Sequence, residues 1–347
     1  MTSDIILFLA QDGLTVGAIY ALLAVALVLV FTITRIIFIP QGEFVSYGAL
    51  TLAALQAGRV PGTLWLMLAL AAAVVARDLY AGVRVGDSVA ALRKSVRSVA
   101  IPLAIFAIAF GLTQIQLPLG ARAALAVAIV VPIGTLLYRL AYEPLEHASV
   151  LVLLIASVGI HLAMTGLGLA MFGAEGSRTP PFSDYQGSFG PLLVSGQSIA
   201  IIGVAGLLMT GLSLFFGRTL AGKALQATAV NRIGARLVGI RTAKAGRVAL
   251  GLAAGIGAAS GILMAPLATI YYDTGFLIGL KGFIAAVIGG LVSYPVAAIG
   301  ALIVGMLESF TAFQTSALKD VIIFTLILPV LLFRSFTHRD TSGEQNN

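Results

Sequence analysis

The sequence predicts an all-α protein that crosses a membrane several times. Of its 347 residues, 59% are hydrophobic and 10% are charged, and the mean hydropathy is +1.04. A soluble core needs far less apolar material than this, whereas a set of spanning helices needs this much. The basic residues also gather in a few segments between apolar runs, as expected of loops that face one side of a membrane.

Eleven apolar runs follow one another along the chain. A perpendicular span needs about 20 residues, so the runs at 64–76, 281–292 and 320–333 must borrow flanking residues, break within the membrane or re-enter it. We therefore predict about 8–11 transmembrane or re-entrant helices in one transmembrane domain that covers residues 1–347. The other runs are 14–34, 37–55, 99–117, 121–138, 150–173, 197–216, 247–270 and 296–313.

The distribution of positive charge predicts the topology. When the N-terminus lies outside, most of the 21 Lys and Arg residues fall on the inner side, so we predict an outside N-terminus and a cytoplasmic C-terminus. Residues 77–98 then form a cytoplasmic basic loop within an unusual insertion at 77–120, and residues 217–247 form a second cytoplasmic segment. Residues 174–197, with their Pro, Gly and Ser, form an external loop long enough to fold partly on itself.

The net charge of +7 has the same explanation. In a soluble domain this charge would point to nucleic acid, but here the excess lies in loops on one side. We therefore expect a lipid bilayer as a partner and no nucleic acid. The chain has no cysteine, and its three histidines show no metal-binding spacing, so we predict no metal site.

Two segments that contain glycine and proline interrupt the apolar pattern, Phe38–Glu43 in one half of the chain and Gly289–Pro295 in the other. Interrupted segments in corresponding halves mark pathways between inverted repeats, because unwound backbone offers unpaired polar groups to a substrate. We therefore predict weak inverted-repeat character; the alternative is a tight turn at each place. The candidate pathway residues are Gln41, Gly42, Glu43, Tyr47, Gly289 and Gly290.

Glu43 is the carboxylate that sits deepest in the apolar pattern. A charge there is costly unless it faces the bundle interior or water, so Glu43 is a functional candidate. The alternative is a helix-start glutamate that stabilises its own helix after a proline break. By contrast, His161 stands alone in an apolar helix, which favours packing over ligation. We expect Glu308, Lys319 and Asp320 to be solvated at the external membrane interface.

Gly217–Lys223 matches the first seven positions of a phosphate-binding loop, but the rest of the pattern is missing. The eighth position is Ala224, where a Ser or Thr must hold Mg²⁺, and an apolar helix precedes the segment where a strand is required. The chain also contains no nucleophile elbow, paired-carboxylate site or HExxH motif. We therefore expect no enzyme activity and no nucleotide or other cofactor on this chain.

Residues 217–247 form a basic island without Asp or Glu. Within it, apolar residues recur every four positions and predict one stripe along an amphipathic helix, which Gly239 can end. Such a helix docks in a groove on a partner protein; the alternative is a helix that lies on anionic lipid. The stripe consists of Leu225, Ala229, Ile233 and Leu237, with Arg232 and Arg236 on a neighbouring face.

Motifs in a specific order run through most of the chain. They are Asp12–Leu22 with Gln41–Phe44, Arg139–Leu145, Ala224–Ala229 with Leu237–Ile240, Lys281–Gly290, and Lys319–Val321. In this order and spacing, they resemble the permease subunits of the branched-chain amino acid type of ATP-binding-cassette importer. The resemblance covers nearly everything except about 77–120. The third set is similar to the family's coupling helix, which packs into a groove on the cytoplasmic ATPase.

This resemblance implies a permease subunit that translocates branched-chain or other small amino acids across a bacterial inner membrane. It also implies a second permease subunit, identical or homologous, two cytoplasmic ATPase subunits that bind ATP and Mg, and an external solute-binding protein. Two alternatives remain open: a urea or short-amide importer of the same family, and an ion-coupled secondary transporter. Taken together, the resemblance and the apolar stripe predict the residues that couple this chain to the ATPase: Leu225, Ala229, Arg232, Ile233, Arg236, Leu237 and Gly239.

The chain departs from the family pattern in two places. Relatives usually carry Asn-Phe-Ala-His before the Gly-Glu pair, whereas this chain has Phe38-Ile39-Pro40-Gln41. In the coupling helix, Val230 stands where an acidic or amide residue is common. The first departure leaves the identity of the substrate open, and the second predicts an altered contact with the ATPase.

Overall fold

Helices make up nearly all of the structure. The computed structural model describes residues 3–85, 88–113, 115, 117–189, 192–330 and 332. A small antiparallel sheet pairs β1 (Gln186–Phe189) with β2 (Leu192–Ser195). The helices are α1 (Ser3–Thr34), α2 (Gln41–Gln56), α3 (Gly62–Val85), α4 (Ser88–Leu112), α5 (Leu119–Leu137), α6 (Val150–Phe172), α7 (Gly196–Arg218), α8 (Leu220–Val230), α9 (Arg232–Leu237), α10 (Thr242–Met264), α11 (Thr274–Ile288), α12 (Tyr294–Gln314) and α13 (Lys319–Thr325).

Within the described residues, seven helices are long and apolar enough to cross a membrane: α1, α3, α5, α6, α7, α10 and α12. Shorter apolar helices occur at Val99–Leu112 within α4 and in α11. The prediction of an all-α, multi-pass protein is confirmed. Complete spans are fewer than apolar runs because four of the eleven runs do not form one. Three of them form α2, α11 and α13, of 16, 15 and 7 residues, and the run at 99–117 forms the short apolar helix Val99–Leu112; all four are too short to cross alone.

The predicted basic loop at 77–98 is mostly helical. Residues 77–85 extend α3 and residues 88–98 begin α4, while 86 and 87 lie outside the described residues. The end of α3 is held against the end of α5, because Asp78 forms a buried ion pair with Arg139 and Arg77 donates a hydrogen bond to the Arg139 carbonyl oxygen. The expectation of a loop is therefore wrong, and the cytoplasmic placement of this region stays a prediction.

Residues 174–197 fold partly on themselves, as expected. They contain the β1–β2 hairpin, and Ser177 pairs backbone to backbone with Ile270. The Arg178 guanidinium donates two hydrogen bonds to the Pro266 carbonyl oxygen, at 3.1 and 3.0 Å. These contacts fasten the segment to the connection between α10 and α11.

α2 is enclosed by other helices. Nearly all of its residues are buried, and it packs between α5, α10 and α11. A Cβ atom on Gly48 would collide with the backbone of Ala258, and one on Gly261 would collide with the backbone of Val45. Small residues at such contacts are what let membrane helices approach closely. Gly257 and Gly261 therefore serve the close packing of α10 on α2.

Gly261→Ala is expected to destabilise the bundle, since the added methyl group has no space between α10 and α2. Overpacking of a tight interior costs about 1–3 kcal/mol. We expect a lower melting temperature in detergent and less protein in the membrane fraction. Gly203→Ala in α7 is the matched control, because nothing lies within 4 Å of its Cβ position. Equal stability of the two variants would contradict the packing role of Gly261.

Candidate functional site

The chain reverses between α1 and α2, where the sequence predicts an interruption. Arg35 adopts a left-handed φ of 63° directly after α1, and Pro40 precedes the first residue of α2. Ile37 lines the same cavity as Leu27 of α1, which shows that residues 35–40 run back alongside α1. The predicted interruption is confirmed, and it places the first turn of α2 inside the bundle.

Glu43 lies in that first turn and is 0% exposed. Nδ1 of His161, on α6, lies 2.9 Å from Oε1 of Glu43. Among the described residues, neither carboxylate oxygen accepts a hydrogen bond of regular geometry. The Thr165 hydroxyl, which lies close enough to interact with Glu43, donates to the His161 carbonyl oxygen at 3.0 Å. A buried carboxylate with so little compensation is costly, which marks the Glu43–His161 pair as a candidate functional site.

His161 is therefore not the isolated packing residue that the sequence suggests. Its ring stacks on Phe276 of α11, with ring centroids 4.4 Å apart, and its Nδ1 faces Glu43. The histidine that relatives usually carry before the Gly-Glu pair is absent from this chain. The structure brings an imidazole to the glutamate from a different helix.

The first turns of α2 and α11 meet beside this pair. The Ser46 hydroxyl accepts a hydrogen bond from the Gly275 backbone N–H at 2.8 Å and donates one to the Tyr271 carbonyl oxygen at 3.1 Å. Gly42 lies so close to Gly275 that neither position has space for a Cβ atom. Two helix N-termini, each with partial positive charge, therefore converge near Glu43. This supports a helix-stabilising role for Glu43 but does not account for His161.

Gln41 and Tyr47 belong to the same end of the bundle. Nε2 of Gln41 donates to the Ala253 carbonyl oxygen at 3.0 Å, whereas its Oε1 is buried without a hydrogen-bond partner among the described residues. The Tyr47 hydroxyl donates to the Met164 carbonyl oxygen at 2.7 Å, which fastens α6 to α2. Gln41 therefore keeps an acceptor for a ligand, while the Tyr47 hydroxyl is used in helix packing.

A cavity of about 310 Å³ adjoins the Glu43–His161 pair. Among the described residues that line it, Gln41 supplies the only polar side chain. Phe276 belongs both to the cavity wall and to the stack on His161, so the cavity and the pair share one side chain. The rest of the wall comes from α1, residues 37–39, α6 and α11.

Gly289 and Gly290 lie elsewhere. They follow the end of α11, and Gly290 has a φ of 68°, which glycine adopts without strain. Because a helix rises about 1.5 Å per residue, they are roughly 20 Å from Gly275 at the other end of α11. The structure therefore places Gln41, Glu43 and their neighbours at one site, and Gly289 and Gly290 in a separate turn. Their pathway role stays a prediction.

The 217–247 segment contains two short helices, not one continuous coupling helix. α8 ends at Val230, and Asn231 has an extended backbone with φ −146°. Its Oδ1 accepts a hydrogen bond from the Gly234 N–H at 2.8 Å, which caps the start of α9. The predicted continuous helix is therefore wrong, because Asn231 begins a new helix. Gly239 follows the end of α9 with a φ of 86°, as its predicted role requires.

The predicted apolar stripe is divided by this break. Leu225 is buried against Leu29 of α1 and Phe216 of α7, whereas Ile233 and Leu237 are 74% and 84% exposed. Leu225 thus anchors α8 to the bundle, and Ala229 is half-buried beside it. Exposed apolar side chains grouped on a surface indicate a binding site for a partner. This surface, termed the α8–α9 patch, consists of Leu220, Val230, Ile233, Leu237 and Val238.

Arg232 and Arg236 bind within the chain. Nη2 of Arg232 lies 2.9 Å from Oε1 of Glu146, and the Arg236 guanidinium contacts the same oxygen. The Thr242 hydroxyl also donates to it, at 2.8 Å. Burial raises the pKa of Glu146, but the hydrogen bonds from Thr242 and Arg236 and the two positive charges outweigh burial and lower the pKa from its ordinary value. Glu146 therefore ties α9 and α10 to the connection between α5 and α6.

Lys281, Glu308 and Asp320 form an ion-pair cluster that the sequence does not predict. Nζ of Lys281 lies 2.5 Å from Oε1 of Glu308 and 3.0 Å from Oδ1 of Asp320. The Tyr20 hydroxyl donates to Glu308 at 2.5 Å. The expectation that Glu308 is solvated is wrong, because its side chain and that of Lys281 are mostly buried. The cluster joins α11, which forms part of the cavity wall, to α1, α12 and α13.

Long apolar helices that enclose a buried polar pair, beside a chain reversal and an apolar cavity, define a membrane transport protein. The family model described as the permease component of the branched-chain amino acid transport system matches residues 9–331. The chain belongs to this family. With seven helices among its described residues that are long and apolar enough to cross a membrane, it is a multi-pass protein of the bacterial inner membrane and a transporter subunit.

Curated relatives agree with this family. The chain is 30% identical over 231 residues to the high-affinity branched-chain amino acid transport system permease protein BraD of Pseudomonas aeruginosa. This match covers 65% of this chain and 75% of the relative. It is 30% identical to LivH of Escherichia coli K12, and 31% identical to LivH of Salmonella typhimurium. Each LivH match spans 215 residues, 60% of this chain and 70% of the relative. No solved structure matches the chain.

Proposed function

We propose that this chain is the membrane-spanning permease subunit of an ATP-driven importer of branched-chain amino acids. Its family and the names of its relatives support this substrate class. The observation that carries the proposal is the buried Glu43–His161 pair beside an apolar cavity. A carboxylate next to an apolar cavity suits an amino acid with an aliphatic side chain, whereas urea has no apolar part to bury there.

Glu43 supplies the negative charge that attracts the ammonium group of the substrate. In the structure its carboxylate is closed off, with His161 against it. When the site opens, the substrate ammonium replaces His161, so the carboxylate is never left without a partner at bilayer depth. This exchange avoids the large cost of an uncompensated buried charge. It lets the ammonium group of a zwitterionic solute pass a region where charges are otherwise excluded.

The subunit works with partners that supply the energy and the solute. Two cytoplasmic ATPase subunits bind ATP and Mg, and a second permease subunit, identical or homologous, completes the membrane part. An N-terminus outside and a C-terminus inside place the α8–α9 patch against the ATPases, and residues 174–197 toward an external solute-binding protein. ATP binding and hydrolysis then shift the populations of outward-open and inward-open states.

Affinity purification of the tagged chain in mild detergent tests this proposal. The unaltered chain should copurify with an ATPase subunit, and the double variant Ile233→Asp with Leu237→Asp should lose it. Both side chains are exposed, so the substitutions alter a docking surface without disturbing the bundle. Replacing apolar contacts with charges at an interface core costs several kcal/mol, and each 1.4 kcal/mol corresponds to about tenfold in affinity.

Tyr185→Asp is the matched control, because Tyr185 is also exposed but lies in the segment assigned to the external side. It should keep the ATPase. The proposal fails if no ATPase accompanies the unaltered chain even after crosslinking in native membranes. Uptake that collapses with the proton gradient and persists without an ATPase would then favour an ion-coupled secondary transporter.

A further inference from the structure

The cavity beside Gln41 has the size and lining of a site for one small apolar group. Its volume of about 310 Å³ lies at the lower end of the roughly 300–1,000 Å³ typical of ligand pockets. Its walls are apolar and come from several elements, including Leu27 on α1, Leu154 on α6 and Phe283 on α11. Apolar cavities of this kind favour apolar guests over water. The lining therefore suits an aliphatic side chain and not a sugar or a hydrated ion.

One unsatisfied polar atom belongs to this cavity lining. Gln41 is 1% exposed, its Nε2 is committed to Ala253, and its Oε1 has no hydrogen-bond partner among the described residues. Buried polar groups are nearly always paired, so each exception requires an explanation. An N–H donor on a bound ligand provides one, and an ammonium group carries three such donors.

We infer that this cavity binds the aliphatic side chain of the transported amino acid, and that the free Oε1 of Gln41 accepts a hydrogen bond from its ammonium group. This inference rests on the proposed function and adds the place where side-chain size is sensed. It makes Leu154 a residue that determines substrate specificity. A change of one methylene group in an apolar pocket typically alters discrimination by about 10–200-fold.

The position of the cavity connects side-chain binding to the polar pair. α6 carries both Leu154 and His161, and α11 carries both Phe283 and Phe276. Phe276 touches the cavity on one side and His161 on the other. A side chain in the cavity therefore contacts α6, which carries His161 against Glu43, and α11, which carries the Phe276 ring stacked on His161.

Leu154→Phe tests the inference through size. The larger ring fills part of the cavity, so leucine uptake by the complete transporter should fall about tenfold or more. Leu151→Phe is the matched control: the same substitution on α6, three residues earlier, at a side chain that is 65% exposed and outside the cavity. It should leave uptake unchanged, and both variants should still copurify with the ATPase.

A single introduced thiol tests occupancy directly. The chain has no cysteine, so Leu154→Cys carries its only thiol, and modification by N-ethylmaleimide is followed by mass spectrometry of this chain within the complete transporter in membranes. Leucine at about ten times its Kd should slow the modification about tenfold, since the free fraction falls as 1/(1 + [L]/Kd). Glycine, which has no side chain to fill the cavity, should not slow it. Leu151→Cys should react equally with either amino acid present.

The results separate this inference from the proposed function. If leucine does not slow the modification of Leu154→Cys, or if Leu154→Phe takes up leucine at the full rate, the side-chain site is contradicted. Neither result contradicts the proposed function as an importer. If the unaltered complex takes up no leucine at all, the proposed function fails and this inference fails with it. Protection by leucine and not by glycine supports both.

Discussion

Glu43→Gln is expected to lower leucine uptake at least tenfold while leaving the subunit in the membrane and bound to its ATPase. The amide has nearly the same size but carries no charge, so it cannot compensate the substrate ammonium group. A hydrogen bond to a charged group contributes about 1.5–3 kcal/mol, and each 1.4 kcal/mol corresponds to about tenfold. Uptake of labelled leucine, in cells where this chain is the only copy of the subunit, measures the effect.

Two companion variants show whether the charge itself is responsible. Glu43→Asp keeps the carboxylate and should recover part of the uptake that Glu43→Gln loses. Glu175→Gln makes the same chemical change at an exposed side chain in the segment 174–197 and should behave like the unaltered chain. Normal uptake by Glu43→Gln would contradict the pathway role and leave Glu43 as a residue that stabilises the start of α2.

The interruptions of the apolar pattern could be predicted because proline and glycine act locally on the backbone. Pro40 does precede α2, and Gly290 does take a positive φ after α11. Glu43 could also be singled out, since a carboxylate within an apolar run is costly wherever it lies. The enclosure of α2 is less visible in sequence, because close contacts such as that between Gly261 and Val45 depend on which helices become neighbours.

Contacts between distant side chains could not be predicted. Nothing in the apolar pattern around His161 shows that α6 packs where it meets Glu43. The same holds for Lys281 on α11, whose partners Glu308 and Asp320 lie on α12 and α13. A single sequence contains no information on which of these distant positions pair. Judged alone, a charge near a helix end is expected to be solvated.

The coupling segment shows how a local signal can be misread. A spacing of four residues from Leu225 to Leu237 predicts one helix, but Asn231 lies in its middle. Asparagine is unfavourable in helix interiors but favoured at the N-cap position, because its side chain accepts hydrogen bonds from backbone N–H groups. The hydrogen bond from the Gly234 N–H to Asn231 shows that capping prevails here. The four-residue apolar spacing is present, but its two halves face different environments: Leu225 packs against the bundle, whereas Ile233 and Leu237 are exposed.

Glu146→Gln is expected to uncouple ATP hydrolysis from uptake: leucine uptake should fall about tenfold while the ATPase continues to turn over. Glu146 joins Arg232 and Arg236 of α9 to the connection that leads into α6, and α6 carries His161. A neutral amide loses at least one of these charge-assisted contacts, each worth about 1.5–3 kcal/mol. Movement of the α8–α9 patch then no longer reaches the Glu43–His161 pair. Uptake and ATP hydrolysis measured on the same proteoliposomes provide the ratio that defines coupling.

Glu143→Gln is the matched control for Glu146→Gln. Glu143 lies in the same connection but pairs with Arg247 of α10, at 3.4 Å, and not with α9. It should lower coupling less, because the link to α9 is kept. Equal loss in both variants would show that the connection needs its charges for stability alone.

The pKa of Glu146 is lowered in the folded protein, so its contacts are complete above the ordinary pKa of 4.5 and are lost only as the pH falls through the lower, folded value. Titration of Glu146 should therefore cause no pH dependence of coupling near neutral pH. Its charge is removed by the Glu146→Gln substitution instead.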